Sequence, residues 1–292
     1  MINYNSPSAL KVFLEQEGLG MRKKFGQNFL INPQIRQSLV QALEAKDEVW
    51  EIGPGLGAMT KLLLDKGLIV KAFEIDNGFI RILKNIFSHE KNFFLVEGDV
   101  IKTWKEQPPS RLKPFLLGNL PYNIAAVLIA ELIENRRIFS RMVVTVQKEV
   151  ALRMTARAGS PDYSSFTVLC ASAYKVKPLM LISRESFYPQ PNVDSMGVLL
   201  ESNGRDSNPD IFFPLVRSLF ASRRKTVKNN LSAFISSRIG EFQQGLKVQE
   251  LCAALLKENT INEKERAENL ELETFLSLAK SIDNVRILKQ GC

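Results

Sequence analysis

Val49-Trp50-Glu51-Ile52-Gly53-Pro54-Gly55-Leu56-Gly57 joins an apolar, strand-forming run to three closely spaced glycines, and Met59, Leu62 and Leu63 follow at helical spacing before Gly67. Strand, glycine turn and helix in that order open a nucleotide-binding βαβ unit, because glycine lets backbone come close to a ligand where a Cβ would collide. Gly53 and Gly55 are thus candidate cofactor contacts. The third glycine arrives one residue earlier than in the dinucleotide fingerprint G-x-G-x-x-G. That spacing favours the related loop that holds the methionine end of S-adenosylmethionine over a pyrophosphate-cradling turn.

The next two strands support a nucleoside site. Leu68 to Ile75 carries Glu74 near its end, where a carboxylate binds both hydroxyls of a ribose. Binding of this kind fits NAD equally, so Glu74 indicates adenosine without choosing the cofactor. Phe93 to Val96 leads into Glu97-Gly98-Asp99, and Asp99 is placed to accept from an adenine amino group at the same sheet edge. Either acid alone reads as a cap or a surface charge. Both at consecutive strand ends after a glycine loop read as a site. No P-loop lysine motif is present, which argues against nucleotide hydrolysis.

The chemistry is placed at Gly118-Asn119-Leu120-Pro121-Tyr122. Phe115-Leu116-Leu117 is a short buried strand, and Pro121 ends it, since proline cannot donate to a sheet and biases Leu120 away from the helical region. The exocyclic amine of adenine is a poor nucleophile because its lone pair is drawn into the ring. Two acceptors aimed at its N–H groups favour a tetrahedral, more nucleophilic nitrogen as a bond to a methyl carbon forms. The Asn119 side-chain carbonyl and the Leu120 backbone carbonyl are the candidate acceptors, and Tyr122 offers a face on which a flipped base can stack. The bland reading is an ordinary proline turn with a core tyrosine.

At 292 residues, one large and one smaller domain are expected, and 45% hydrophobic content is ample for a core. A formal charge of +8 points toward a polyanionic partner. The polar stretch from Met1 to Pro7 is unlike a signal peptide and no apolar run reaches transmembrane length, so a cytoplasmic protein without membrane association is expected. Cys170, Cys252 and Cys292 have no metal spacing and read as free thiols; with His89 the single histidine, no metal is expected.

Residues 8 to 17 read as a short amphipathic helix. Arg22-Lys23-Lys24-Phe25-Gly26-Gln27-Asn28-Phe29-Leu30 is either a solvated charge run beside an apolar anchor or a flap whose basic residues track phosphates while Asn28 and the Leu30 backbone reach a cofactor. Met142 to Val146 is a central strand and Glu149 to Ala156 a helix. Lys177 to Ser183 and Ser195 to Leu200 are strands joined by a proline-stiffened loop, in which Phe187 or Tyr188 either closes a base pocket opposite Tyr122 or staples the hairpin.

Residues 201–210, rich in Ser, Asn, Gly and Asp, read as a linker between a catalytic domain over 1–200 and a small all-helical domain over 211–292. In the latter, Phe213, Val216, Phe220, Val227 and Leu231 make one helical stripe with Arg224 in its middle, so either the helix breaks near Ser222 or Arg224 snorkels or finds a partner. Arg223, Arg224, Lys225 and Lys228 are the densest basic cluster, either a nucleic-acid backbone contact or a solvated face. Glu265 to Leu278 reads as a structural helix.

Taken together, Phe25-Gly26-Gln27-Asn28-Phe29-Leu30, Glu51 to Gly57, Gly118 to Asn123, Gln147-Lys148-Glu149-Val150, Pro189 to Ser195 and Arg223-Arg224-Lys225-Thr226 resemble the KsgA-type ribosomal RNA adenine dimethyltransferases, within the larger family that includes the erythromycin-resistance methyltransferases. The resemblance runs from Lys24 to about Leu231. It implies an α/β, Rossmann-like class I S-adenosylmethionine-dependent methyltransferase fold. It also implies S-adenosylmethionine as donor and dimethylation of two adjacent adenosines near the 3′ end of 16S rRNA in the small ribosomal subunit; a monomer is expected, though the sequence does not fix the oligomeric state. By the same resemblance, binding residues fall on Asn28, Leu30, Gly53, Glu74, Asp99 and Asn119, and stacking aromatics on Tyr122 and Phe187. A Tyr-Gly pair of similar proteins is Tyr163-Ser164 here, a departure outside the cofactor site. Two rival functions are a resistance-type enzyme acting on large-subunit rRNA and a non-catalytic RNA-binding assembly factor. The linker and Arg223 to Thr226 favour the small-subunit type, and the intact Asn119 to Tyr122 argues against lost catalysis.

Overall fold

The protein is described from a computed structural model covering residues 2–20, 27–108, 113–122, 124–205, 208–242 and 247–287. Arg22, Lys23, Lys24, Phe25 and Gly26 of the basic stretch, with Asn123 and Cys292, lie outside the described residues. Two compact units form, one from residues 1–151 with 175–202 and one from 152–174 with 203–292.

The first unit holds α1 (Pro7–Gln16), β1 (Phe29–Leu30), α2 (Pro33–Ala42), β2 (Glu48–Ile52), α3 (Ala58–Leu64), β3 (Ile69–Glu74), α4 (Asn77–Ile86), β4 (Phe93–Glu97), α5 (Val100–Thr103), β5 (Phe115–Asn119), α6 (Ala125–Glu134) and β6 (Arg141–Gln147). Helix α7 (Lys148–Thr155) crosses into the second unit, which α8 (Ser165–Ala173) continues. From strand β7 (Tyr174–Ile182) the chain returns to the first unit, for β8 (Phe187–Tyr188) and β9 (Ser195–Ser202).

Seven strands make one sheet in the order β4-β3-β2-β5-β6-β9-β7, and β1 pairs antiparallel with β8 in a separate ribbon. From β4 across to β6 every pair is parallel, while β9 runs antiparallel to β6. The chain builds outward from β2 through β3 to β4 and then restarts on the other side of β2 with β5. The crevice between β2 and β5 is therefore a topological switch point, where ligands bind at the carboxyl ends of strands. Val49, Trp50 and Ile52 of β2 are buried, as both faces of a parallel sheet are covered by helices. Leu10 and Leu14 of α1 pack with Leu56 of the glycine turn and Phe79 of α4.

The second unit is helical: the end of α7, α8, α9 (Phe212–Phe220), α10 (Val227–Ser237), α11 (Val248–Glu258) and α12 (Leu272–Ile287). Its core includes Val168, Phe212, Leu215, Leu231, Leu255 and Phe275. Residues 152–174 lie in this unit, which corrects the domain limit drawn at residue 200. The cause is long-range packing: Val168 of α8 joins that core, and the Tyr163 hydroxyl donates to the Leu270 carbonyl at 2.8 Å. Ser164, in the place of the glycine of similar proteins, precedes α8 in an extended conformation at φ −153°, which any residue adopts. The helix does break near Ser222: α9 ends at Phe220, and Thr226 caps α10. The last helix begins at Leu272 rather than Glu265, since Glu265 lies in a turn whose carbonyl accepts from the Val227 N–H at 2.7 Å.

Candidate functional site

Asn28, Leu30, Gly53, Gly55, Glu74, Asp99 and Asn119, all singled out in the sequence, line one cavity of about 250 Å³ in the first unit, together with Pro121. Local folding explains how each arrives there. Gly55, at φ +58°, takes a left-handed turn in which an added Cβ would stand 3.1 Å from the Phe29 ring. Gly57, at φ +86°, is the N-cap of α3, and a Cβ there would lie 2.6 Å from the Phe87 ring. The early third glycine thus answers to helix packing within the protein.

Glu74 ends β3 with its side chain folded against the glycine turn. Its Oε2 accepts from the Gly55 N–H at 3.1 Å, and its Oε1 accepts from the Ile75 and Asp76 N–H groups, both at 2.9 Å. Burial pushes the carboxyl up to about 7 despite those three hydrogen bonds, and the Asp76 charge adds to the rise. Asp99 caps α5, its Oδ1 accepting from the Ile101 N–H at 3.0 Å. Its Oδ2 makes no hydrogen bond among the described residues. The acid is therefore a helix cap that also lines the cavity.

The Asn119 side chain is oriented by a specific contact, its Nδ2 donating to the Asn28 carbonyl at 2.8 Å. With the amide nitrogen committed there, Oδ1 is left as an acceptor with no donor among the described residues. The Leu120 N–H donates to Thr145 at 3.1 Å, and its side chain, 1% exposed, packs so close to Gly118 that a Cβ there would stand 2.6 Å from Leu120 Cδ2. No group among the described residues donates to the Leu120 carbonyl. Half-buried Tyr122 is tethered by its hydroxyl to Ser195 of β9 at 2.7 Å. Burial raises its pKa, against the Ser195 hydrogen bond.

Leu120 and Tyr122 adjoin the lining residues Asn119 and Pro121 without lining the cavity themselves, and Phe187 falls elsewhere. It is 3% exposed, pairs with Leu30 across the β1–β8 ribbon, packs in the apolar core and does not line the cavity. In this structure it staples the ribbon, and the second stacking face expected of it is not presented.

Tyr4 and Arg36, which line the cavity, and Asp76 beside it had no role in the sequence reading. Asp76 caps α4 through the Gly78 N–H at 2.8 Å and accepts from Gln27 Nε2 at 3.0 Å, tying the segment before β1 to the end of β3. Tyr4 donates its hydroxyl to the Leu56 carbonyl at 3.0 Å. Arg36 of α2 lines the cavity although only 5% exposed. One signal for Arg36 was available: it shares a helical stripe with Leu39, Val40 and Leu43, all buried.

In the second unit the basic cluster divides. Arg223 pairs with Glu268 at 3.1 Å and donates to the Pro161 and Tyr163 carbonyls, and Lys228 pairs with Glu263 at 2.5 Å. Arg224 and Lys225 are exposed and have no partner among the described residues.

A largely parallel sheet, a glycine turn after its first strand, acids ending the next two and an Asn-Leu-Pro-Tyr turn ending the strand across the switch point define a Rossmann-like methyltransferase. Residues 18–284 match the family "Ribosomal RNA adenine dimethylase", and the chain belongs to that family. The match extends well past Leu231, where the recognisable motifs stop. "Ribosomal RNA small subunit methyltransferase A" of Treponema denticola is 44% identical over 291 residues, 97% of each chain. The protein of that name from Borreliella burgdorferi is 40% identical over 97% of this chain and 96% of its own. Among solved structures, a dimethyladenosine transferase from Plasmodium falciparum is similar with a TM-score of 0.75 at 28% identity, over 87% of this chain and 96% of that one. The 23S rRNA methyltransferase ErmE, at TM-score 0.61 and 20% identity over 87% and 99%, shares the fold. No helix among the described residues is long and apolar enough to cross a membrane.

Proposed function

We propose that the protein transfers methyl groups from S-adenosylmethionine to the N6 amines of two adjacent adenosines near the 3′ end of 16S rRNA in the small ribosomal subunit, giving N6,N6-dimethyladenosine. It acts as a monomer in cytoplasmic small-subunit biogenesis. The observation that carries this reading is the orientation of Asn119: its amide nitrogen is held by the Asn28 carbonyl, so its oxygen is the acceptor at the cavity that Glu74 and Asp99 also line.

The donor set fits S-adenosylmethionine. Glu74 offers a carboxylate to ribose hydroxyls, Asp99 Oδ2 an acceptor to the adenine amine, and the Gly53 to Gly57 turn a backbone surface. When bound, that cofactor supplies a methyl carbon made electrophilic by its sulfonium. The chain's own residues do the rest by placement. Asn119 Oδ1 and the Leu120 carbonyl accept from the two N–H groups of the target amine and stabilise the nitrogen as it becomes tetrahedral. Tyr122, tethered to Ser195, supports the flipped base. Alignment of amine and methyl carbon is the main contribution, and the proton leaves to water. Arg224 and Lys225 contact RNA phosphates, with Arg223 and Lys228 contributing less because they are already paired.

The test is transfer of radiolabelled methyl groups to undermethylated small subunits, large-subunit rRNA and free adenosine. Label recovered as dimethyladenosine in the small subunit alone is expected. Label in large-subunit RNA makes this a resistance-type enzyme, and no transfer with cofactor still bound makes it an RNA-binding assembly factor.

A further inference from the structure

Arg36 is a buried cation without a counter-ion among the described residues. Its guanidinium donates to the Leu30 carbonyl, to the Tyr4 carbonyl at 3.5 Å and to the Asn5 side-chain oxygen, all neutral acceptors. It forms no ion pair among the described residues. Two of its five N–H donors, one of them at Nε, have no acceptor among the described residues. Guanidinium keeps its charge in proteins, and an isolated buried charge is unfavourable unless an anion joins it. Three acceptors would satisfy a neutral donor of the same shape; only an anion neutralises the charge.

The place of Arg36 in the cavity says which anion. Glu74 and Asp99 gather on the β3 and β4 side of β2, where an anionic ligand group would be repelled. Arg36 is anchored to Leu30, two residues beyond the Asn28 carbonyl that holds Asn119 of β5, on the other side of the switch point. A ligand with a nucleoside at one end and a carboxylate at the other matches this division of charge. We propose that Arg36 binds the carboxylate of the methionine portion of S-adenosylmethionine, with Asn5 and the Tyr4 and Leu30 carbonyls holding the guanidinium fork in place. The inference rests on reading the cavity as the cofactor site.

Calorimetry on the full chain tests it with two ligands that share the nucleoside: S-adenosylhomocysteine, which carries the amino-acid carboxylate, and 5′-methylthioadenosine, which lacks it. Arg36→Met should weaken S-adenosylhomocysteine binding at least tenfold and leave 5′-methylthioadenosine within twofold of the native protein. Arg36→Lys keeps a charge and the stem, and serves if the Met variant does not fold. Having lost the fork, it should show the same selectivity with a smaller loss. Equal weakening of both ligands in the Lys variant would make Arg36 a mere strap on the N-terminal segment and overturn the proposal, as would unchanged binding of both. If the native protein binds neither ligand, the cofactor reading itself fails, and this inference with it.

Discussion

Glu51 gives the sharpest test of the electrostatics beneath the glycine turn. Its carboxyl is fully buried, with Thr60 donating to Oε2 at 2.6 Å and no partner for Oε1 among the described residues. Burial lifts it from 4.5 to about 7, opposed by the Thr60 hydrogen bond and reinforced by the Glu74 charge. The unfolded chain releases this proton near 4.5 and the folded unit near 7, so between those values the folded state binds more protons and stability falls as pH rises. The contribution is fully present below 4.5 and gone above 7. At about 1.4 kcal/mol per pH unit it amounts to about 3 kcal/mol. Glu51→Gln keeps the volume and removes the ionisation. At pH ~8.5 the variant should therefore exceed the native protein by up to about 3 kcal/mol. At pH ~5 it should be equal, or lower by about 1 kcal/mol, because the amide carries one more unpaired hydrogen than the protonated carboxyl. Both tryptophans, Trp50 and Trp104, lie in the first unit, so urea denaturation followed by their fluorescence reports that unit alone. Parallel stability curves for native and variant protein from pH ~5 to ~8.5 would refute the assignment of a raised Glu51 pKa.

Asn119→Ala should lower methyl transfer by roughly 100-fold or more, as expected for loss of a transition-state acceptor, while S-adenosylhomocysteine affinity measured by calorimetry changes far less. Affinity lost as completely as activity would move Asn119 from the target amine to the cofactor. Gly57→Ala meets both a left-handed φ and the Phe87 ring at 2.6 Å, and should destabilise the first unit by about 1–3 kcal/mol in the same fluorescence assay. Paired replacement of Arg224 and Lys225 by Ala should flatten the salt dependence of small-subunit binding by about one to two in slope. The same change at Arg223 and Lys228 should alter that slope less and instead lower the stability of the helical unit; equal slopes for the two pairs would contradict the division seen in the structure.

Much of the first unit follows from local chemistry. A β-strand running into three glycines, acids at the ends of the next two strands and a proline-terminated turn are each specified by residues adjacent in sequence, and the parallel sheet then brings strand ends to one edge. That is why Gly53, Glu74, Asp99 and Asn119 are legible together in the sequence, and all four line the cavity. The break between α9 and α10 was legible too, because a charged residue in an apolar stripe conflicts with a continuous helix.

Other features depend on which segments meet, and periodicity carries no such information. Residues 152–174 have the same patterning whichever unit they join; only the packing of Val168 and the Tyr163 hydroxyl with partners far along the chain assigns them. An aromatic in a loop can stack on a ligand or staple a ribbon, and the pairing of β8 with β1 decides the second for Phe187. Four basic residues in six positions look alike until Glu268 and Glu263, about 40 residues on, take up two of them. Arg36 became a cavity residue because the folded N-terminal segment and Leu30 supply neutral oxygens for its fork while no described residue matches its charge. Sequence by itself determined the chemistry available at each strand end, since that depends on neighbours in the chain. Tertiary structure decided which charges are already paired and which remain for a ligand, since pairing is set by distance in space.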